Sequence, residues 1–202
     1  MTRKTARSAA LLALAATIAW QPAAAQREVD ARGPYVHGPA RALFPVKVGG
    51  FRRSTIYQYD QEGKDVSASY NLATPAGRLL ITVYIYPAAA AAPAARAGLC
   101  DQEFGVVSTA LSSQHGDVAP VEQGAALPAE GIERSLGHRA VYRFAGPFDE
   151  SVQEIRSEVH LYCYAGGDWL VKYRVSAPAA VATRRPVREF IRNGPWPGRS
   201  ST

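Results

Sequence analysis

The chain is poor in the residues that usually mark an active centre: two cysteines, one methionine and four histidines in 202 residues. His37, His115, His138 and His160 are scattered, and neither H-E-x-x-H nor C-x-x-C spacing occurs, so no metal site and no cofactor is expected. G-x-S-x-G, S-x-x-K and P-loop motifs are also missing, which removes the best marked hydrolase and nucleotide-binding classes. The longest apolar run, residues 9–20, is too short to span a bilayer as a helix.

That run has a different meaning. Arg3, Lys4 and Arg7 precede it and Ala23-Ala24-Ala25 follow it, the three-part pattern of a secretory signal cleaved after Ala25. No cysteine sits at the cleavage point for lipid attachment and no twin-arginine pattern is present, so a periplasmic or secreted protein without stable membrane anchoring is expected. Three of the cations lie in this leader, which reduces the formal charge of +6 to +3 and argues against nucleic acid as a partner. An even cysteine count in an exported chain favours a Cys100–Cys163 disulfide.

Domain organisation follows from composition. Residues 26–43 are polar, punctuated by Gly and Pro and aperiodic, and are expected to form a flexible arm; residues 44–196 have the size of a single domain, and 197–202 read as a disordered tail. Strand-like runs at 53–60 and 65–72 flank a Gly-containing loop, and 78–86 alternates Leu79, Ile81, Val83 and Ile85 with Thr82, Tyr84 and Tyr86. Cys100, Phe104, Val107 and Leu111 recur at helical spacing on one stripe, and a second helix within 179–192 turns Val187, Phe190 and Ile191 inward. Weaker strand signals cover 118–123 and 138–144. These patterns predict an α+β fold, an antiparallel sheet of about six or seven strands with two helices packed on one face.

The hairpin formed by 155–165 and 169–176 carries the functional expectation. Ile155, Val159, Leu161 and Cys163 share one parity, and Glu154, Arg156, Glu158, His160 and Tyr162 the other. A three-residue loop, Gly166-Gly167-Asp168, sets Cys163 opposite Val171, Tyr162 opposite Lys172 and His160 opposite Arg174. The polar parity then forms a candidate binding face of Tyr84, Tyr86, Tyr162, Tyr164, His160, Lys172 and Arg174, an aromatic platform for an envelope protein, a glycan, a small ligand or a second copy of the chain. A competing reading takes Cys100, near a helix start, as the nucleophile of an envelope hydrolase with His160 or His138 as base; it looks partly like papain-like cell-wall peptidases. Arg184, Arg188 and Arg192 make a basic stripe that reads as a solvated helix face.

The stretches Gly50-Phe51-Arg52-Arg53, Ile56-Tyr57-Gln58-Tyr59-Asp60, residues 81–87 and Trp169-Leu170-Val171-Lys172-Tyr173-Arg174 resemble small exported bacterial proteins without an assigned role. The element order over 44–196 is similar to the PsbP/Mog1-type α+β sandwich. That resemblance implies a non-catalytic binding or assembly module and carries no functional residue with it.

Overall fold

The computed structural model describes residues 26–199. The signal expected at 1–25 and the last three residues of the expected tail lie outside them. The strands are β1 (Arg27–Glu28), β2 (Tyr35–His37), β3 (Ala42–Phe44), β4 (Lys47–Val48), β5 (Phe51–Gln58), β6 (Val66–Thr74), β7 (Gly77–Pro87), β8 (Glu122–Ala125), β9 (Gly137–Phe148), β10 (Ser151–Ala165) and β11 (Trp169–Pro178). The helices are α1 (Arg96–Gln114) and α2 (Arg184–Asn193).

The fold is α+β, but larger and differently layered than its sequence predicts. Nine strands form one antiparallel sheet in the order β1-β5-β6-β7-β11-β10-β9-β8, with β4 added to β5, and β2 pairs with β3 separately. The expectation of six or seven strands misses the short strands at 27–48, which lack a hydrophobic alternation long enough to register. The expectation of both helices on one face is also wrong. α1 buries Cys100, Phe104 and Leu111 against Ala140, Tyr142, Val159, Leu161 and Leu170, whereas α2 buries Val187, Phe190 and Ile191 against Tyr70, Ile81, Val83, Tyr173 and Val175. The two helices thus cover opposite faces.

One inserted residue explains the error. At the loop end Ala165 pairs with Trp169, as a three-residue loop requires, but the next pair is Tyr162 with Val171, so Cys163 and Tyr164 together oppose Leu170. Tyr164 takes φ 55°, and both bulged side chains enter the α1-side core. Below the bulge the register is shifted by one: Leu161 pairs with Lys172, His160 with Tyr173 and Val159 with Arg174. A one-residue slip exchanges the faces of every side chain beyond it.

Residues 26–43 are not a free arm. β1 extends the sheet edge along β5, and Ala40, Ala42 and Phe44 are buried in the α2-side core, which a ten-residue helix is too short to cover alone. Arg53 fastens the segment by donating to the carbonyls of Phe44, Ala31 and Gly33. At the other terminus Gly198 donates to Ala40 and Leu43 to Arg199, so the described part of the expected tail is paired as well.

The helices are held by different means. α1 has no side-chain N-cap and contains Gly98 and Gly105, each costing roughly 1 kcal/mol relative to Ala, so it depends on tertiary ties. Cys100 is joined to Cys163 with Cα atoms 5.8 Å apart. Pro186 falls in the first turn of α2, where its missing N–H is tolerated, and the helix begins at Arg184. Its far end is closed by Trp196 Nε1, which donates to the Ile191 carbonyl at 2.6 Å.

Candidate functional site

α1 lies over β9, β10 and part of β11, leaving the same face of β5, β6 and β7 uncovered. Two cross-strand rows cross this floor. One runs Tyr57, Ser67, Tyr84 and Lys172; the next runs Ser69, Thr82, Arg174 and Val159. Where the floor meets the helix there is a half-open groove of about 410 Å³. Its helical wall is one stripe, Glu103, Val106, Val107, Ala110, Leu111 and Gln114, and its floor includes Tyr59, Tyr84, Tyr86, Lys172 and Arg174, with Asp65 at the side.

The tyrosines are fixed by neighbours. Tyr59 stacks on Tyr84 with centroids 6.3 Å apart and its hydroxyl bonds Ser67 Oγ at 2.9 Å. The Tyr86 hydroxyl donates to Glu103 at 2.8 Å, joining floor to wall. Burial pushes both Tyr84 and Tyr86 above the ordinary phenol range, with the Glu103 charge adding to the shift at Tyr86, so both stay protonated donors.

Lys172 is the unusual group. Its Nζ lies 4.2 Å from the centre of the Tyr84 ring and 5.6 Å from that of Tyr86. Burial lowers the amine's pKa, and the charges of Glu103 and Asp65 oppose that shift from a distance. The cation is therefore stabilised by ring faces and by through-space attraction, and among the described residues its N–H donors have no hydrogen-bond partner. Arg174 donates through Nη2 to His115 Nε2 at 3.2 Å, and His115 stacks on Phe144 at 3.8 Å. Partial burial and the adjacent guanidinium lower the His115 pKa, which keeps the ring neutral and able to accept.

The structure divides the expected binding face. Tyr84, Tyr86, Lys172 and Arg174 meet in the groove. Tyr162 and His160 lie beneath the opposite face, fully buried, because the bulge reverses their side. Tyr162 donates to the Leu127 carbonyl at 2.7 Å. Tyr164 stays on the α1 side but away from the groove, donating to Ala89 and carrying Arg96 over its ring. Tyr59, Asp65 and the α1 stripe were not expected. The i, i+3, i+4, i+7, i+8, i+11 spacing from Glu103 to Gln114 is a legible signal for a second helix face.

His160 belongs instead to a buried ionic cluster. Its Nε2 donates to Glu158 Oε2 at 3.2 Å, Thr183 Oγ1 donates to Oε1 at 2.7 Å, and Arg156 and Arg139 donate at 2.8 and 3.2 Å. The hydrolase reading fails at its first requirement, since the Cys100 sulfur is bonded to Cys163 and no thiolate is available. Among the described residues no group of three or more His, Cys, Asp or Glu side chains is arranged to hold a metal ion, and no helix is long and apolar enough to cross a membrane.

Comparison with protein-family models, with curated proteins and with solved structures finds no match to the chain.

Proposed function

We propose that the protein is an exported, non-catalytic binding module of the bacterial envelope that holds a small ligand in the groove between α1 and the β5–β6–β7–β11 floor. The observation that carries this reading is the juxtaposition of an apolar helix wall with a tyrosine floor and an uncommitted Lys172 donor set in one concavity. Ligand sites are typically apolar clefts of a few hundred Å³ with a few convergent polar groups. The disulfide supports an oxidising compartment. The resemblance to PsbP/Mog1-type modules belongs to the same proposal and points the same way.

Two measurements test it. Ala110 is exposed on the groove wall, so Ala110→Trp fills the groove without removing a core contact. A screen of small aromatic and aliphatic fragments by NMR is expected to shift resonances of Tyr84, Lys172 and Leu111, and A110W should abolish those shifts while leaving the melting temperature unchanged. Hits scattered over the surface and indifferent to A110W defeat the reading. For the location, the intact mass of protein recovered from the envelope is expected to correspond to a chain starting at Gln26, with a two-hydrogen gain on reduction. A retained leader defeats the exported assignment.

A further inference from the structure

We propose that the groove, on the binding reading above, is specific for a single-chain amphiphile with a monoanionic head, a carboxylate held by Lys172 with its apolar body along Val107, Ala110 and Leu111. The argument begins with the donors. Lys172 offers three N–H groups, and the two rings under it supply no acceptor lone pair in their plane of approach. A carboxylate placed there receives charge-assisted hydrogen bonds in a partly desolvated site, where such bonds are strong. The protonated hydroxyl of Tyr84 lies on the same cross-strand row.

Charge balance sets the valence of the head. Lys172 and Arg174 bring two positive charges to the groove, and Asp65 and Glu103 bring two negative ones. Glu103 accepts from the Tyr86 hydroxyl and Arg174 is oriented by the neutral His115 ring, whereas the Lys172 amine has no hydrogen-bond partner among the described residues. One negative charge is matched by that amine; a phosphate dianion adds a second that must be held against both carboxylates, Asp65 and Glu103. A quaternary ammonium head meets Lys172 as a like charge.

The body follows from the wall. Between Glu103 and Gln114 the stripe presents Val106, Val107 and Ala110 to the groove, with the buried side chains of Leu111 and Val159 closing its base. The apolar part of this wall, from Val106 to Leu111, spans five helical steps of about 1.5 Å, roughly 7.5 Å. A straight alkyl chain lying along it covers the apolar side while the open side of the groove admits it from solvent.

Calorimetric titration of the oxidised full-length mature chain tests this with four probes of equal chain length: decanoate, decanol, decyl phosphate and decyltrimethylammonium. Decanoate is expected to bind at least about tenfold more tightly than the other three, and Lys172→Met to reduce its affinity by about tenfold, as expected for loss of one charged hydrogen-bond partner. Arg174→Gln is expected to have the smaller effect. Since the probe series needs no variant, the assignment stays testable if K172M folds poorly. Equal affinities for decanoate, decanol and the ammonium overturn the anionic head while the groove reading survives. Tighter binding of decyl phosphate overturns the monoanion. Absence of binding by all four, together with A110W-insensitive fragment shifts, overturns both readings.

Discussion

Replacing Cys100 and Cys163 together by Ala is expected to lower stability by about 4 kcal/mol, the loop-closure contribution of a cross-link spanning 63 residues. For a chain of this length that corresponds to a fall in melting temperature of roughly 8–16 °C. The loss should not be uniform. α1 carries two internal glycines and no side-chain cap, and its buried residues are few: Cys100, Phe104 and Leu111. Without the cross-link its remaining buried side chains are Phe104 and Leu111, and it is one entire wall of the groove. Binding of the fragment probes is therefore expected to fall more than the far-ultraviolet circular dichroism changes. Differential scanning calorimetry and probe titration on the same C100A/C163A protein check this. A variant that melts within 2–3 °C of the parent, by the same scaling, shows that the loop is not closed in the native protein.

Glu158→Gln is expected to cost about 3 kcal/mol, because it leaves two arginines partly buried beside a group that no longer balances them. Burial alone raises the Glu158 pKa, but hydrogen bonds from His160, Arg156 and Thr183 outweigh burial and hold the carboxyl well below the usual carboxylate range. His160 is depressed chiefly by burial, against the pull of Glu158, so the ring is neutral with Nε2–H donating and Nδ1 without a partner among the described residues. Both groups have folded pKa values below their unfolded ones. Each therefore contributes stability that is fully present above its unfolded pKa and is lost as pH falls. The melting temperature is expected to be level around neutrality, to decline once pH drops below about 6.5 as unfolded His160 takes up a proton, and to decline more steeply below about 4.5 as unfolded Glu158 does. In E158Q the steeper acid limb should flatten. Melting curves between pH 3 and 8 decide the matter, and an unchanged acid limb in E158Q shows that the carboxylate is not held ionised by this cluster.

The elements that were readable from sequence are those whose periodicity is set by one partner. β6 and β7 alternate cleanly because one face of each is dry, and α1 shows its buried stripe at Cys100, Phe104 and Leu111 for the same reason. β10 was misread because both its faces are covered. Glu158, His160 and Tyr162 look like a wet parity, yet they are buried under α2, where Arg139, Arg156, Thr183 and the Leu127 carbonyl satisfy them. Polarity signals exposure only when no buried partner exists, and partners on β9 and at the start of α2 are invisible to local pattern. The bulge at Cys163 and Tyr164 compounded this. A three-residue loop was correctly spaced, but nothing in the residue types of 155–165 announces an extra residue, and Tyr at φ 55° is an uncommon choice. Four of the seven binding-face residues nevertheless converge, since Tyr84, Tyr86, Lys172 and Arg174 lie on β7 and β11, beyond the reach of the slip.

A sheet with one helix on either side also sets the order in which its parts take up deuterium. Amides of β10, and of the part of β11 beneath α1, are bonded to neighbouring strands along both edges and shielded by a layer above and below. Their exchange awaits the opening of both layers, whereas the amides of α1 and of the short outermost strands β1 and β8 are released by local events. Isotope uptake should accordingly be slowest in the interior strands, and breaking the sulfur cross-link should accelerate α1 long before it touches α2, whose retention rests on Phe190, Ile191 and Trp196 rather than on a covalent tie.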